Sequence, residues 1–158
     1  MMREAESSFG AATLVGLRLD AVVSSWHERD GARGQDPIHV WLHWQVQGWC
    51  QLHTPGSGDL GLYWQEPHDS YDMDRYGRVI VEAGGPELVV SACGRRVSAV
   101  SRLRRESPGG SVGVVLNFDG YALAAANLGD ESSFTVWPDH DWQREGLRET
   151  RVEVGGSQ

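Results

Sequence analysis

Hydrophobic and polar residues alternate along most of the chain, a period of two that sends successive side chains to opposite faces of a strand. The alternation predicts strands near 16–26, 38–44, 49–54, 60–65 and 78–82, and again near 94–104, 112–118, 121–127, 133–137 and 148–154. Asp119-Gly120 has the composition of a two-residue type I′ turn and pairs Phe118 with Tyr121 across a hairpin. The loop Gln45 to Gly48 is longer and is expected to pair Trp44 with Trp49, with Cys50 nearly opposite His43. Ile38, Val40, Leu42, Trp44 and Trp49 form one expected core face, and Val112, Val114, Leu116, Phe118, Tyr121 and Leu123 the other. A short helix suits 87–91, because Pro86 and Glu87 favour a first helical turn.

The two sets of strands repeat one another. Gly16-Leu17-Arg18-Leu19-Asp20-Ala21-Val22 matches Gly94-Arg95-Arg96-Val97-Ser98-Ala99-Val100, and 38–44 matches 112–118. Gly48-Trp49 matches Gly120-Tyr121, Gly58-Asp59 matches Gly129-Asp130, Trp64 matches Trp137, and His68-Asp69 matches His140-Asp141. The expected fold is all-β: two tandem antiparallel β-meander repeats of roughly 70 residues. They pack as one barrel or sandwich of about ten strands, which also protects the edges. The expected boundaries are a flexible N-terminus over 1–11, repeat 1 over 12–82, a linker over 83–89, repeat 2 over 90–154 and a tail over 155–158, both repeats in a single domain.

Composition narrows the partners. Acidic residues outnumber basic ones 22 to 14, a net charge of −8 that opposes a phosphate backbone, so nucleic acid is not expected. The basic run Arg95, Arg96, Arg102, Arg104 and Arg105 has strand spacing and reads as a solvated strand face. No stretch has the length of a membrane span, and the first residues lack the basic and apolar regions of a secretory signal. Cys50 and Cys93, without CxxC spacing, suit free thiols in a reducing compartment. A cytoplasmic protein without a cofactor is expected.

Candidate chemistry concentrates in the first repeat. His39, Trp41 and His43 alternate on the outward face of their strand, and with Cys50 opposite they are weak candidates for a metal site, since imidazole and thiolate are zinc ligands. The second repeat has Gly113, Val115 and Asn117 there and no fourth ligand is evident, so no metal is expected. The segment from His68 to Gly77 has Asp72, Asp74 and Gly77 at three calcium-loop positions, but Tyr76 and Ala83 stand where oxygen ligands are required, so it reads as a solvated loop. His68-Asp69 and His140-Asp141 are expected to fix loops rather than act as acid/base pairs. No GxSxG elbow or phosphate-binding loop is present. Trp26, Trp41 and Trp142 lack aromatic counterparts and are expected at the surface.

The run Val114-Val115-Leu116-Asn117-Phe118-Asp119-Gly120-Tyr121, with Asn127-Leu128-Gly129-Asp130-Glu131 and Trp137-Pro138, resembles short uncharacterised actinobacterial proteins with an LxFDxG…NxGDE pattern. The resemblance covers about a third of the chain and implies no catalytic residues. The first repeat departs from it, with Trp44-Gln45 in place of Phe-Asp.

The leading expectation is a non-enzymatic, acidic protein-interaction module, of the kind represented by toxin-neutralising immunity proteins. Its candidate contacts are His39, Trp41, His43, His53, Asp59, Asp130 and Glu131, and its expected partner is another protein. The alternative is a small-molecule-binding barrel or small barrel enzyme with a pocket between the repeats, lined by Trp, Tyr and His39, His43 or His53.

Overall fold

The computed structural model describes residues 7–8, 10–53, 60–106, 111–128 and 131–151. The first sheet contains β1 (Ser7–Ser8), β2 (Leu19–Arg29), β3 (Ala32–Arg33), β4 (His39–Trp44), β5 (Gly48–His53), β6 (Gly61–Trp64), β7 (Tyr71–Asp72) and β8 (Arg78–Ala83). The second contains β9 (Ala99–Arg105), β10 (Ser111–Asn117), β11 (Ala122–Leu128), β12 (Glu131–Val136) and β13 (Leu147–Arg151). Two short helices, α1 (Glu87–Val90) and α2 (His140–Arg144), lie in the connections. Among the described residues no helix is long and apolar enough to cross a membrane.

Each of the ten expected strands is present, all paired antiparallel, and β1, β3 and β7 are short additions. The first sheet runs β1-β6-β5-β4-β2-β8-β7, with β3 pairing β2, and the second runs β12-β11-β10-β9-β13. The path β6-β5-β4-β2-β8 and the path of the second sheet thus follow one order. Three successive hairpin neighbours are followed by a strand that returns to the far side of the first.

The sheets face one another as an open sandwich, which excludes the closed barrel. Val22, Val40, Leu42, Trp44, Cys50, Leu52 and Leu62 of the first sheet share one core with Val100, Val114, Leu116, Phe118, Leu123 and Ala125 of the second. At its centre the rings of Trp44 and Phe118 stack 6.3 Å apart and 2° from parallel. Residues 16–19 and 94–97 tie the sheets together: Arg18 and Arg96 form an antiparallel bridge, Leu19 N donates to Arg95 O, and Val97 N donates to Leu17 O. That tie is one short crossing at the sandwich corner and does not extend into a ladder that could close a barrel.

Register and the connections that cross the sheets account for three departures from the expected faces. Trp44 pairs with Gly48 and His43 with Trp49, so the first hairpin loop is one residue shorter than expected and every side chain of β5 changes face. Trp49 therefore lies outside and Cys50 inside. In the second sheet the register shifts between Ser111 and Gly113, and Val112 joins the outer face instead of the core. Trp41 and Trp142, expected at the surface, are buried, each beneath the connection that crosses the outer face of its own sheet or within it.

Those crossings differ in character. Over the second sheet, Trp137, Trp142 and Leu147 seal Leu103, Val112, Val115, Ala124 and Ala126 into a second apolar cluster. Asp139 caps α2, its carboxylate accepting from Trp142 N at 2.9 Å and from Thr135 Oγ1 at 2.7 Å, and these donors hold the carboxyl below the usual range. Over the first sheet the crossing is an extended strap, 65–70, and what it covers is polar and aromatic. Arg102 and Arg104 are exposed on β9, as a solvated strand face requires.

Candidate functional site

Because β4 alternates, Val40, Leu42 and Trp44 enter the core while His39, Trp41 and His43 project from the outer face. Pairing brings β5 and β6 alongside: His43 opposes Trp49, Trp41 opposes Gln51, and Gln51 opposes Tyr63. The rings of His39 and His53 stack at 6.1 Å, His53 meets Tyr63 edge-on at 5.3 Å, and His43 meets Trp49 edge-on at 4.8 Å. The strap then lays His68 over Trp41, edge-on at 5.1 Å, and 6.3 Å from His39, with Tyr71 5.5 Å further along. This cover is why Trp41 is fully buried on what would otherwise be a solvent face.

Two buried atoms in this cluster, His39 Nδ1 and Trp41 Nε1, have no hydrogen-bond partner among the described residues. Buried polar groups left this way cost stability. Burial, then the neighbouring His53 and His68, pushes the His39 imidazole down to about 4 from its ordinary 6.5. Between those two values the unfolded chain binds more protons than the folded one, so stability falls as pH drops through the window. Allowing for the ring's partial contact with water, the loss at pH 4 is about 1–2 kcal/mol. Urea unfolding of the wild type and of His39→Gln, each at neutral pH and near pH 4.5, checks this. An equal acid-induced loss in both proteins would place its source elsewhere.

The weak metal candidates do not assemble. Cys50 opposes Leu42 in the core, where its sulfur accepts from Trp44 Nε1 at 3.2 Å and burial pushes the thiol up to about 12. Such a thiol is neither a ready ligand nor a nucleophile at neutral pH. Among the described residues no group of three His, Cys, Asp or Glu side chains is placed to hold a metal ion. His68 Nδ1 meets the backbone oxygen of Asp69 at 2.8 Å instead of its carboxylate, and Asp141 pairs with Arg144 at 3.2 Å.

Of the candidate contacts, His39, Trp41, His43 and His53 share the outer face. Asp59 and Asp130 lie outside the described residues, and Glu131 is described only as the first residue of β12. Sequence reasoning missed Trp49, Gln51, Tyr63 and Gln65 as members of this face. The alternation of β5 carried the signal for Trp49 and Gln51, but the assumed loop length inverted it.

The open depressions among the described residues include three in the first half of the molecule. One of about 370 Å³, at the end of β2, is lined by Glu28, Arg29, Asp30, Asp72, Asp74, Arg75 and Arg78. One of about 300 Å³ is lined by Gln51, His53, Tyr63 and Gln65. The third, about 390 Å³, is lined by His43, Gln47, Gly48, Trp49, Trp64, Gln65 and Glu66. None of the three lies between the sheets, where Trp44 and Phe118 fill the space. Compared with family models, curated proteins and solved structures, the chain matches none.

Proposed function

We propose that the protein is a non-enzymatic interaction module that binds a protein partner at the end of the first sheet, around the depression lined by Glu28, Arg29, Asp30, Asp72, Asp74, Arg75 and Arg78. One observation carries this reading: the Ser70 to Tyr76 segment, which lends Asp72, Asp74 and Arg75 to a charged depression, also exposes two tyrosines, Tyr71 at 51% and Tyr76 at 59%. Tyr and Arg are the residue types that anchor protein interfaces, and Arg75 lies 5.1 Å over the Tyr76 ring. With a net charge of −8, the surface suits a basic partner, which is the setting of a toxin-neutralising immunity protein. The two unpaired thiols fit a reducing cytoplasm. The common strand order supports a tandem duplication, of which this segment is a part that the second half lacks.

A pair of designed variants tests the surface. Asp30 and Asp74 have φ of 54° and 56°, and the Asp72 carboxylate accepts from Asp74 N at 2.6 Å. Asparagine tolerates that backbone and can accept the same bond, so Asp30→Asn/Asp72→Asn/Asp74→Asn removes charge while keeping the loop. Affinity capture from host cells with the wild type should recover a partner that this triple variant and Tyr71→Ala/Tyr76→Ala both lose, with unfolding midpoints unchanged. A partner retained by both variants, or none at all, rejects the reading.

A further inference from the structure

We propose that the two adjoining depressions on the outer face of the first sheet form one binding site for a neutral, polyhydroxylated ligand, a short oligosaccharide. They are about 300 Å³ and 390 Å³ and share Gln65. Together they span a groove of the size that encloses small ligands, about 300–1,000 Å³. The proposal rests on this groove alone and stands apart from the protein-binding reading.

The lining chemistry selects the ligand class. Among the described lining residues there is no Arg, the chain has no Lys, and the single carboxylate is Glu66. An anionic ligand would find no counter-charge there and a cationic one a single carboxylate. The depression at the end of β2 is the contrast, with three Arg and four Asp or Glu around one space. What the groove offers instead are the amides of Gln47, Gln51 and Gln65 and the imidazoles of His43 and His53. An amide carries donors and an acceptor on one group, and so does a hydroxyl, so a row of amides fits a row of hydroxyls.

Two half-buried aromatic rings complete the match. Trp49 lines one depression and Tyr63 the other, held edge-on by His43 at 4.8 Å and by His53 at 5.3 Å. Rings fixed in this way present apolar surface to the C–H face of a sugar at low entropic cost, while the amides take its hydroxyls. All but Gln65 and Glu66 stand on β-strands or on the hairpin joining them, so the groove is preformed and binding needs little rearrangement.

The test is titration of the full chain by calorimetry and ligand-observed NMR with short gluco-, manno-, galacto-, xylo- and N-acetylglucosamine oligosaccharides. Oligogalacturonate serves as the anionic arm and chitosan oligomers as the cationic one. At least one neutral series should bind saturably. Trp49→Ala and Gln65→Ala should each weaken it at least about fivefold, the size of one lost ring or hydrogen-bond contact. Gln65 is on the strap and outside the core, so Gln65→Ala remains informative even where Trp49→Ala lowers the unfolding midpoint. The proposal fails when no neutral series binds by about 10 mM, the weak limit of specific recognition. It fails equally when a charged series binds more tightly, or when both variants bind as the wild type does.

Discussion

Replacing Phe118 by alanine is expected to lower stability by about 3–5 kcal/mol, the range for deleting a buried aromatic ring. The ring has no exposure and lies parallel to Trp44, itself fully buried, so the two form the contact at the centre of the sandwich. The space left behind is bounded by β-sheet on both sides, and hydrogen-bonded ladders cannot fold inward to fill it. Phe118→Leu retains most of the volume and should lose less than about 1.5 kcal/mol. Urea unfolding of the three proteins at neutral pH makes the comparison. A loss below about 1.5 kcal/mol for the alanine variant would mean that the sheets close over the gap and that this stack is not what holds them.

The second large effect is expected at Gly113, where alanine should cost about 3 kcal/mol, the upper part of the range for overpacking. A Cβ built there falls on the carbonyl oxygen of Ala125 and within 2.8 Å of both Cα and Cβ of Ala126 on β11. Backbone on a paired strand cannot step aside as a flexible side chain would. The strain arises next to the register shift between Ser111 and Gly113. Thermal unfolding of Gly113→Ala checks this, and a midpoint equal to the wild type would show that β10 can move away from β11. The position that the expected repeat aligns with it is His39, whose large ring β4 carries on the outer face of the first sheet.

The pair Gly113 and His39 illustrates how much of the molecule could be read from its residues. Period-two alternation located all ten principal strands, and Asp119-Gly120 gave a true turn: both residues have positive φ, 58° and 101°, and Phe118 N donates to Tyr121 O at 2.7 Å. Loop length was not legible in the first hairpin. Gly48 looks like a turn residue, yet it begins β5 with φ of 96°, and the loop instead bends at Val46, a β-branched residue at φ of 70°. That single residue of register decided which face Trp49 and Cys50 occupy.

The site was legible along one strand and illegible across strands. His39, Trp41 and His43 follow directly from alternation in β4. Tyr63, Gln65 and His68 join them only because β6 pairs with β5 and the following strap crosses the sheet, and neither contact leaves a local pattern. Helix α2 was missed for a different reason: it has five residues, and its signal is a single capping carboxylate, Asp139. What each crossing covers is likewise a tertiary property, apolar beneath Trp142 and polar beneath His68.

The antiparallel tie between 16–19 and 94–97 has a consequence for how the molecule is held together. Each half lends the other the wall that keeps its apolar face dry, and that mutual shielding runs from the tie through the stacked rings of Trp44 and Phe118. The peptide that joins the halves, Ala83-Gly84-Gly85-Pro86, contributes no buried core side chain. The covalent link is thus the smallest part of the connection. Severed there, the two parts would still meet across the shared core and the tie at 16–19 and 94–97.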